Sequence, residues 1–340
     1  MRISVITPVH NGGDAFRACA AALGACAPGA HEWIVVVDGG SDDSAALASA
    51  SGARVLELAA TAGPALARNI GAAEASGDVL LFVDADVVVP PWLIGRVAAH
   101  WQNDPGLAAV IGSYDDAPAD PGFLSQYRNL LHHYVHQTGH EDASTFWCGC
   151  GAIRRRVFLE TGGFNGGFGD PSIEDIEFGY RLRQGGHRIC LAKDVQVTHL
   201  KRWTALSLLR TDIFARAVPW TRLIIRSRVL PNDLNVRTSA RASVALVFVL
   251  AASLAAASWL PWGFAAAVLA ALGLVALNAG FYRFLWRVRG PLFALAAVPW
   301  HWLYYACAGI GFLIGTGQEV LGRPALALPI DVNPDDSRVR

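Results

Sequence analysis

Between Arg241 and Arg283 lie 41 consecutive residues without a formal charge, and residues 290–318 add 29 more. About 20 apolar residues cross a bilayer, so the first stretch suits two helices and the second suits a third. The spans are expected at about 243–260, 263–282 and 291–315, with "WLPWG" (Trp259–Gly263) turning the chain between the first two. A buried hairpin of a soluble protein is the alternative, but buried soluble helices rarely run so far without charge. Positive charge is concentrated on one side of the spans. Residues 200–241 hold nine basic against two acidic residues, and "RFLWRVRG" (Arg283–Gly290) adds three arginines, while the 261–263 turn has none. By the positive-inside rule these basic segments are cytoplasmic. Three spans then leave the tail over 317–340, which ends "DVNPDDSRVR", outside the plasma (inner) membrane.

Residues 1–199 are the opposite in charge, with 13 Lys and Arg against 22 Asp and Glu. Such an acidic head is no partner for nucleic acid. The apolar run in "MRISVITPVHNGG" is too short for a signal peptide. The six cysteines show no paired framework, as expected of reduced cytosolic thiols.

In the head, four short apolar runs, "ISVITPV", "WIVVVD", "RVLEL" and "VLLFVD", alternate with Ala-rich helical stretches. One of these, "GPALARNIGAAEASG", ends at Gly77, which reads as its stop. Alternation of this kind predicts an α/β fold with a mostly parallel, Rossmann-like sheet, in which ligands bind beyond the carboxyl ends of the strands. Three polar clusters fall there: "TPVHN" (Thr7–Asn11), "DGGSDD" (Asp38–Asp43) and "DAD" (Asp84–Asp86). Neither G-x-G-x-x-G nor a P-loop is present, so a bound nucleotide needs another neutraliser for its phosphates. Asp84 and Asp86, as hard oxygen donors, suit Mg²⁺ or Mn²⁺.

The blocks "VITPVHN", "VVVDGGSDDS", "ARNIGAAEASGDVLLFVDAD", "GGF" and "IEDIEFGYRLRQGGHRI" resemble, in order and spacing, family-2 glycosyltransferases with the GT-A fold, over about residues 2–200. The resemblance implies that Asp38, helped by Pro8 and His10, contacts the base of a UDP- or GDP-linked sugar, with Arg68 and Asp84 nearby. It implies that Asp84 and Asp86 hold a divalent cation, Mn²⁺ or Mg²⁺, and that Asp175 is the catalytic base. A metal stabilises the leaving diphosphate, and a base takes the acceptor hydroxyl's proton. Asp175 opens a helical pattern, where the dipole favours the ionised carboxylate; Glu174 beside it is the fallback base.

His199, after the strand-like "VQVTH", is either a third metal ligand, as in many relatives, or a plain surface or core histidine. Residues 199–203, "HLKRW", share Arg202 and Trp203 with the Q-x-x-R-W of processive synthases, but His199 replaces the Gln. "FWCGCGAIRRR" (Phe146–Arg156) offers Trp147 for stacking and Gly149 for close approach on the acceptor side; it reads equally as a glycine-rich turn before a basic helix start. His132 and His136 have the spacing of a zinc pair, without a H-E-x-x-H glutamate or an evident third ligand.

Residues 204–241 interleave apolar residues with arginines, as do interface helices on anionic lipid, with Pro219 expected to break the run. A soluble connector is the alternative. The resulting expectation is a GT-A domain over 1–203, basic amphipathic helices over 204–241 and three spans over 242–316. The function read from this is a hexosyl transfer from a nucleotide sugar to a hydroxyl of a lipid-linked or glycan acceptor, for an envelope polysaccharide or glycolipid. A processive synthase and a catalytically silent scaffold are the rivals; the latter is expected to lack Asp84, Asp86 or Asp175, and this chain has all three.

Overall fold

The structure, a computed structural model, describes residues 1–168 and 170–322. The chain divides into two compact units. Among the described residues, the first holds Met1–Pro121 and Gly139–Arg202, and the second holds Gly122–Thr138 and 203–322.

The first unit is built on an eight-stranded sheet: β1 (Ile3–Val9), β2 (Glu32–Val37), β3 (Arg54–Glu57), β4 (Val79–Val83), β5 (Val87–Val88), β6 (Ala109–Tyr114), β7 (Cys150–Arg154) and β8 (Ile189–His199). Their order is β3-β2-β1-β4-β7-β6-β8-β5. The four runs expected as strands are β1 to β4, and they pair in parallel. β7 is antiparallel to both neighbours, and β6 and β8 are parallel to each other. Helices α1 (Gly13–Gly24), α2 (Ser44–Ala50), α3 (Pro64–Glu74) and α4 (Leu93–Asn103) connect the strands.

Every residue of β4 is buried, because both faces of the sheet are covered. Alternate side chains therefore enter two different cores. Leu81 joins Val5, Val35, Phe16 and Trp101 on one side. Phe82 meets Phe146, Phe158 and Phe164 on the other, with ring centroids 5.2–6.3 Å apart. Truncating such a buried Phe costs about 3–5 kcal/mol, so this cluster is a main source of stability.

α3 starts as predicted, with Pro64 in its first turn, but it ends at Glu74. Gly77 is thus not its stop. A Cβ at Gly77 would lie 2.5 Å from Ser4 Oγ, so the glycine lets the entry to β4 pass against β1. In the "FWCGCGAIRRR" stretch the turn is confined to Cys148 and Gly149; strand β7 follows it, and the basic helix start is α6 (Arg155–Glu160). Arg154 spends its guanidinium on the carbonyls of Leu107 and Pro105, at 2.9 and 2.7 Å.

In the second unit, α5 (Phe123–Thr138) packs with helices that follow residue 203, although it lies between β6 and β7 in the chain. The expected 1–203 domain is therefore interrupted. α7 (Glu174–Gln184) belongs to the sheet unit, while α8 (Ala205–Arg210) opens the helical one. α8 runs through a seven-residue π-helix, Thr211–Ala217, into α9 (Val218–Ser227). Pro219 does not break this run. It sits in the first turn of α9, where the register changes from π to α and its missing N–H is tolerated.

α10 (Thr238–Ala256), α11 (Gly263–Leu277), α12 (Ala279–Arg289) and α13 (Pro291–Val320) follow. Among the described residues, one helix is long and apolar enough to cross a membrane: α10, with 19 residues and a mean hydropathy of 1.8. α11 and α12 pass the same test only as a pair, bent by 64°. The second expected span thus stops at Leu277 instead of 282. Asn278 makes the break: it donates to Ser243 Oγ (3.0 Å) and Leu274 O (2.9 Å) and accepts from the Tyr305 hydroxyl (2.7 Å). α13 has 30 residues, with Pro299 inside it and Trp300, His301 and Trp302 next to it. Its glycines admit close neighbours: a Cβ at Gly311 would meet Ala217 Cβ at 2.3 Å, and one at Gly315 would meet Val218 O at 2.9 Å. The tail expected over 317–340 starts as the last turn of α13, and from 323 it lies outside the described residues.

Candidate active site

The loops after β1 and β2 are tied into one surface. Asn11, at φ +48°, accepts the Ser41 N–H at 2.9 Å. Gly40 has φ +105°, and a Cβ there would lie 2.7 Å from Asn11 Oδ1, so only glycine fits. His10 Nδ1 is 2.8 Å from the Asp38 carbonyl, and two residues back Pro8 pairs with Val36 in the sheet. Asp38 is 4% exposed and accepts the N–H groups of Ala62 (2.6 Å) and Gly63 (2.9 Å). Its carboxylate therefore secures the start of α3 to the end of β2.

One turn into α3, Arg68 is also 4% exposed. Its guanidinium donates to Asp84 Oδ1 at 2.6 Å and to Glu174 Oε1 at 3.1 Å, and lies 5.7 Å from the Phe164 ring centre. Burial opposes this charge, but the acidic groups around it outweigh burial and hold Arg68 protonated well above its usual range. Glu174 also accepts the Ser172 N–H at 2.9 Å. This buried ion pair, rather than an open acceptor face, is where the structure puts Glu174.

Asp84 and Asp86 differ in setting. Burial pushes the Asp84 carboxyl up, against the pull of Arg68. Burial acts on Asp86 too, but hydrogen bonding and charge from His199, with Lys201, hold it below the usual carboxylate range. His199 Nε2 is 3.3 Å from Asp86 Oδ2. Sheet register causes that contact: β5 pairs with β8 so that Val87 faces His199, and Leu200 N–H donates to Asp86 O at 2.9 Å. Tyr114, at the end of β6, stacks on the His199 ring at 4.2 Å and 7°. An oxygen donor beside an imidazole suits a divalent cation that takes further oxygens from a ligand. Among the described residues no three His, Cys, Asp or Glu side chains are grouped so as to hold a metal ion. Asp84 is turned to Arg68 instead.

Asp175 lies in the first turn of α7. Its carboxyl is pushed up to about 7, first by burial and then by the charge of Glu174. Arg68 and the N–H groups of Cys148 (3.4 Å) and Ile176 (2.8 Å) pull the other way and lose. The helix dipole alone was expected to favour the ionised form, and desolvation overrides it. The Cys148 thiol, itself pushed up by burial, is 3.7 Å from Asp175 Oδ2 and points its proton there. Trp147 stands edge-on to Tyr114 at 4.9 Å. A Cβ at Gly149 would lie 2.5 Å from the Trp147 ring, so that glycine makes room for the indole.

Residues 4–162 match the family model described as Glycosyl transferase family 2. The chain carries a family 2 glycosyltransferase domain on a GT-A fold. Over 95 residues, 26% of this chain, it is 39% identical to the uncharacterized glycosyltransferase YibD of Escherichia coli K12, covering 27% of that protein. Over 169 residues, 46% of this chain, it is 28% identical to the undecaprenyl-phosphate 4-deoxy-4-formamido-L-arabinose transferase of Klebsiella pneumoniae, covering 50% of it. The chain thus spans about a quarter and a half of the curated relatives it matches. The mannosyltransferase PcManGT of Pyrobaculum calidifontis, solved with GDP-Man and Mn²⁺, shares the fold. Its TM-score is 0.60 at 20% identity, over 88% of this chain and 87% of that one.

Within the sheet unit, Arg68, Asp84 and Glu174 meet directly, as do Asp86 and His199, and Asp175 with the 147–149 loop. Arg202 is exposed just after β8 and joins none of these contacts. Trp203 belongs to the helical unit, where its N–H donates to Ser125 Oγ at 2.8 Å and Arg128 covers its ring at 5.6 Å. His132 and His136, also in that unit, have ring centres 4.1 Å apart and planes tilted by 35°, with no third metal ligand among the described residues. Sequence reasoning missed Tyr114 and Cys148. The signal for Tyr114 was its place at the end of the apolar run "LAAVIGSY"; Cys148 carried none beyond its neighbour Trp147.

Proposed function

We propose that the protein is a membrane-anchored, metal-dependent, inverting glycosyltransferase that moves a sugar from a UDP- or GDP-linked donor to a hydroxyl of a lipid-linked acceptor at the cytoplasmic face. The observation that carries this reading is Asp175, a buried carboxyl held near neutrality within hydrogen-bond reach of the 147–149 loop. A general base works best with its pKa near the operating pH. As the acceptor oxygen bonds to the anomeric carbon, its proton passes to Asp175 and the bond to the diphosphate breaks on the opposite side, which inverts the centre.

Asp86 and His199, joined by Asp84, would hold the cation. Bound there, a divalent ion neutralises charge on the leaving diphosphate. Arg68 keeps Asp84 in place with a permanent positive charge, and Asp38 keeps the nucleotide loop shaped. A lipid phosphate is already ionised and needs no base, whereas a hydroxyl does; the raised pKa of Asp175 favours the hydroxyl. The helical unit supports an anchor. Large apolar side chains such as Phe264, Leu269, Leu292 and Leu313 are 64–81% exposed along α11 and α13, a surface that monomeric soluble proteins rarely show.

The test is donor hydrolysis and transfer by the purified protein in detergent, across UDP- and GDP-sugars with Mn²⁺ or Mg²⁺. Chelation, and separately Asp86→Asn, should remove most turnover. Full activity after chelation would overturn the metal assignment.

A further inference from the structure

The helical unit contains a cavity of about 430 Å³ between the π-helix, α9, α10 and α13. That volume is in the range of ligand pockets, ~300–1,000 Å³. Its wall is mainly apolar, from Ile224, Val244, Ala245, Ala308 and Phe312, with charge confined to Asp212, Arg216 and Arg241. Asp212 is neutralised by Arg128 at 2.6 Å, and both are buried. Arg241 is exposed, at the start of α10, and its guanidinium donates to the neutral Thr238 hydroxyl at 3.1 Å. An apolar slot with an exposed guanidinium on its wall complements one chemistry: a hydrocarbon chain ending in phosphate.

We infer that this cavity binds the chain of a single-chain, phosphate-headed lipid, with Arg241 on the phosphate. The inference deepens the reading that the acceptor is lipid-linked and rests on it: the phosphate belongs to the carrier, and the accepting hydroxyl lies beyond it. The Gly311 and Gly315 contacts fix the floor of the slot, because they lock α13 against the π-helix and α9.

The experiment is calorimetric titration of the full chain in detergent micelles with farnesyl phosphate, farnesol or inorganic phosphate. Farnesyl phosphate should bind saturably, farnesol at least tenfold more weakly and inorganic phosphate not measurably. Arg241→Gln should weaken farnesyl phosphate about tenfold. Ala245→Trp and, independently, Ala308→Phe should fill the slot and abolish binding. All three variants should keep donor hydrolysis, which also reports that they are folded. Equal binding of farnesol and farnesyl phosphate, undiminished binding in both filled variants, or displacement by equimolar phosphatidylglycerol overturns the inference. Loss of donor hydrolysis in the wild type with lipid binding intact would instead count against the proposed enzymatic function.

Discussion

Replacing Asp175 by Asn should stabilise the sheet unit at neutral pH while removing turnover. The carboxyl titrates at 3.8 in an open chain and at about 7 in the fold. About three units at ~1.4 kcal/mol each is a penalty of about 4 kcal/mol once the pH exceeds 7. Because the folded value is the raised one, the fold prefers the protonated acid. The penalty is absent below pH 4 and grows as pH rises from 4 to 7. Asn carries no charge and escapes it. Asn also keeps a single acceptor oxygen, so the bond from Ile176 N–H at 2.8 Å survives and the longer one from Cys148 N–H is lost, at about 1 kcal/mol. Partial access of solvent screens the charge and trims the gain further. The net expectation is about 1–3 kcal/mol of added stability at pH 8 and about none at pH 4.5. For a unit of this size that is roughly 2–10 °C in Tm. Thermal unfolding followed by Trp fluorescence at both pH values measures it, and transfer assays should show a fall of roughly 10²–10⁴. A variant equally destabilised at pH 4.5 and 8, or one with near-normal turnover, would refute the reasoning.

Arg68→Met should cost about 3–5 kcal/mol in denaturant titrations, because it leaves Asp84 and Glu174 buried without their cation; a loss under 1 kcal/mol would show that the acids find other partners. Gly149→Ala places a Cβ 2.5 Å from the Trp147 ring and should cost about 1–3 kcal/mol while raising the acceptor KM more than the donor KM. Steady-state kinetics with each substrate varied would expose the contrary result. Reporter fusions after residue 262 and at the C-terminus should read as external, and one at residue 287 as cytoplasmic; a cytoplasmic C-terminus would mean an even number of spans.

The parallel half of the sheet was legible because β1, β2 and β4 are largely buried and read as near-continuous apolar runs, with β3, half exposed at the sheet edge, a weaker version of the same pattern. The acids Asp38, Asp84 and Asp86 were legible because those runs end on them. What sequence could not show depended on partners far along the chain. Glu174 is 106 residues from the Arg68 that claims it. β7 is made of "CGAIR", small residues that a propensity reading assigns to a turn; pairing with β4 and β6 makes it a strand. His199 became more than an ambiguous histidine only through the two-residue β5. In the helical unit, hydropathy treats Asn278 as one polar residue in an apolar run and cannot see the three hydrogen bonds that end the helix there.

The placement of α5 bears on the order in which the chain can fold as it is made. Phe123, Tyr127, His133 and Tyr134 pack against Phe293, Phe281 and Phe284, all from α12 and α13. Arg128 waits in the same way for Asp212. Those partners leave the ribosome some 75–155 residues after Thr138, or about 4–30 s later at ~5–20 residues per second. Over that interval α5 hangs as an unpartnered apolar loop from a sheet whose later strands, β7 and β8, still have to insert. A ribosome stalled just after residue 202 should therefore hold a nascent chain that is protease-sensitive within 122–138 although every strand of the sheet has been synthesised.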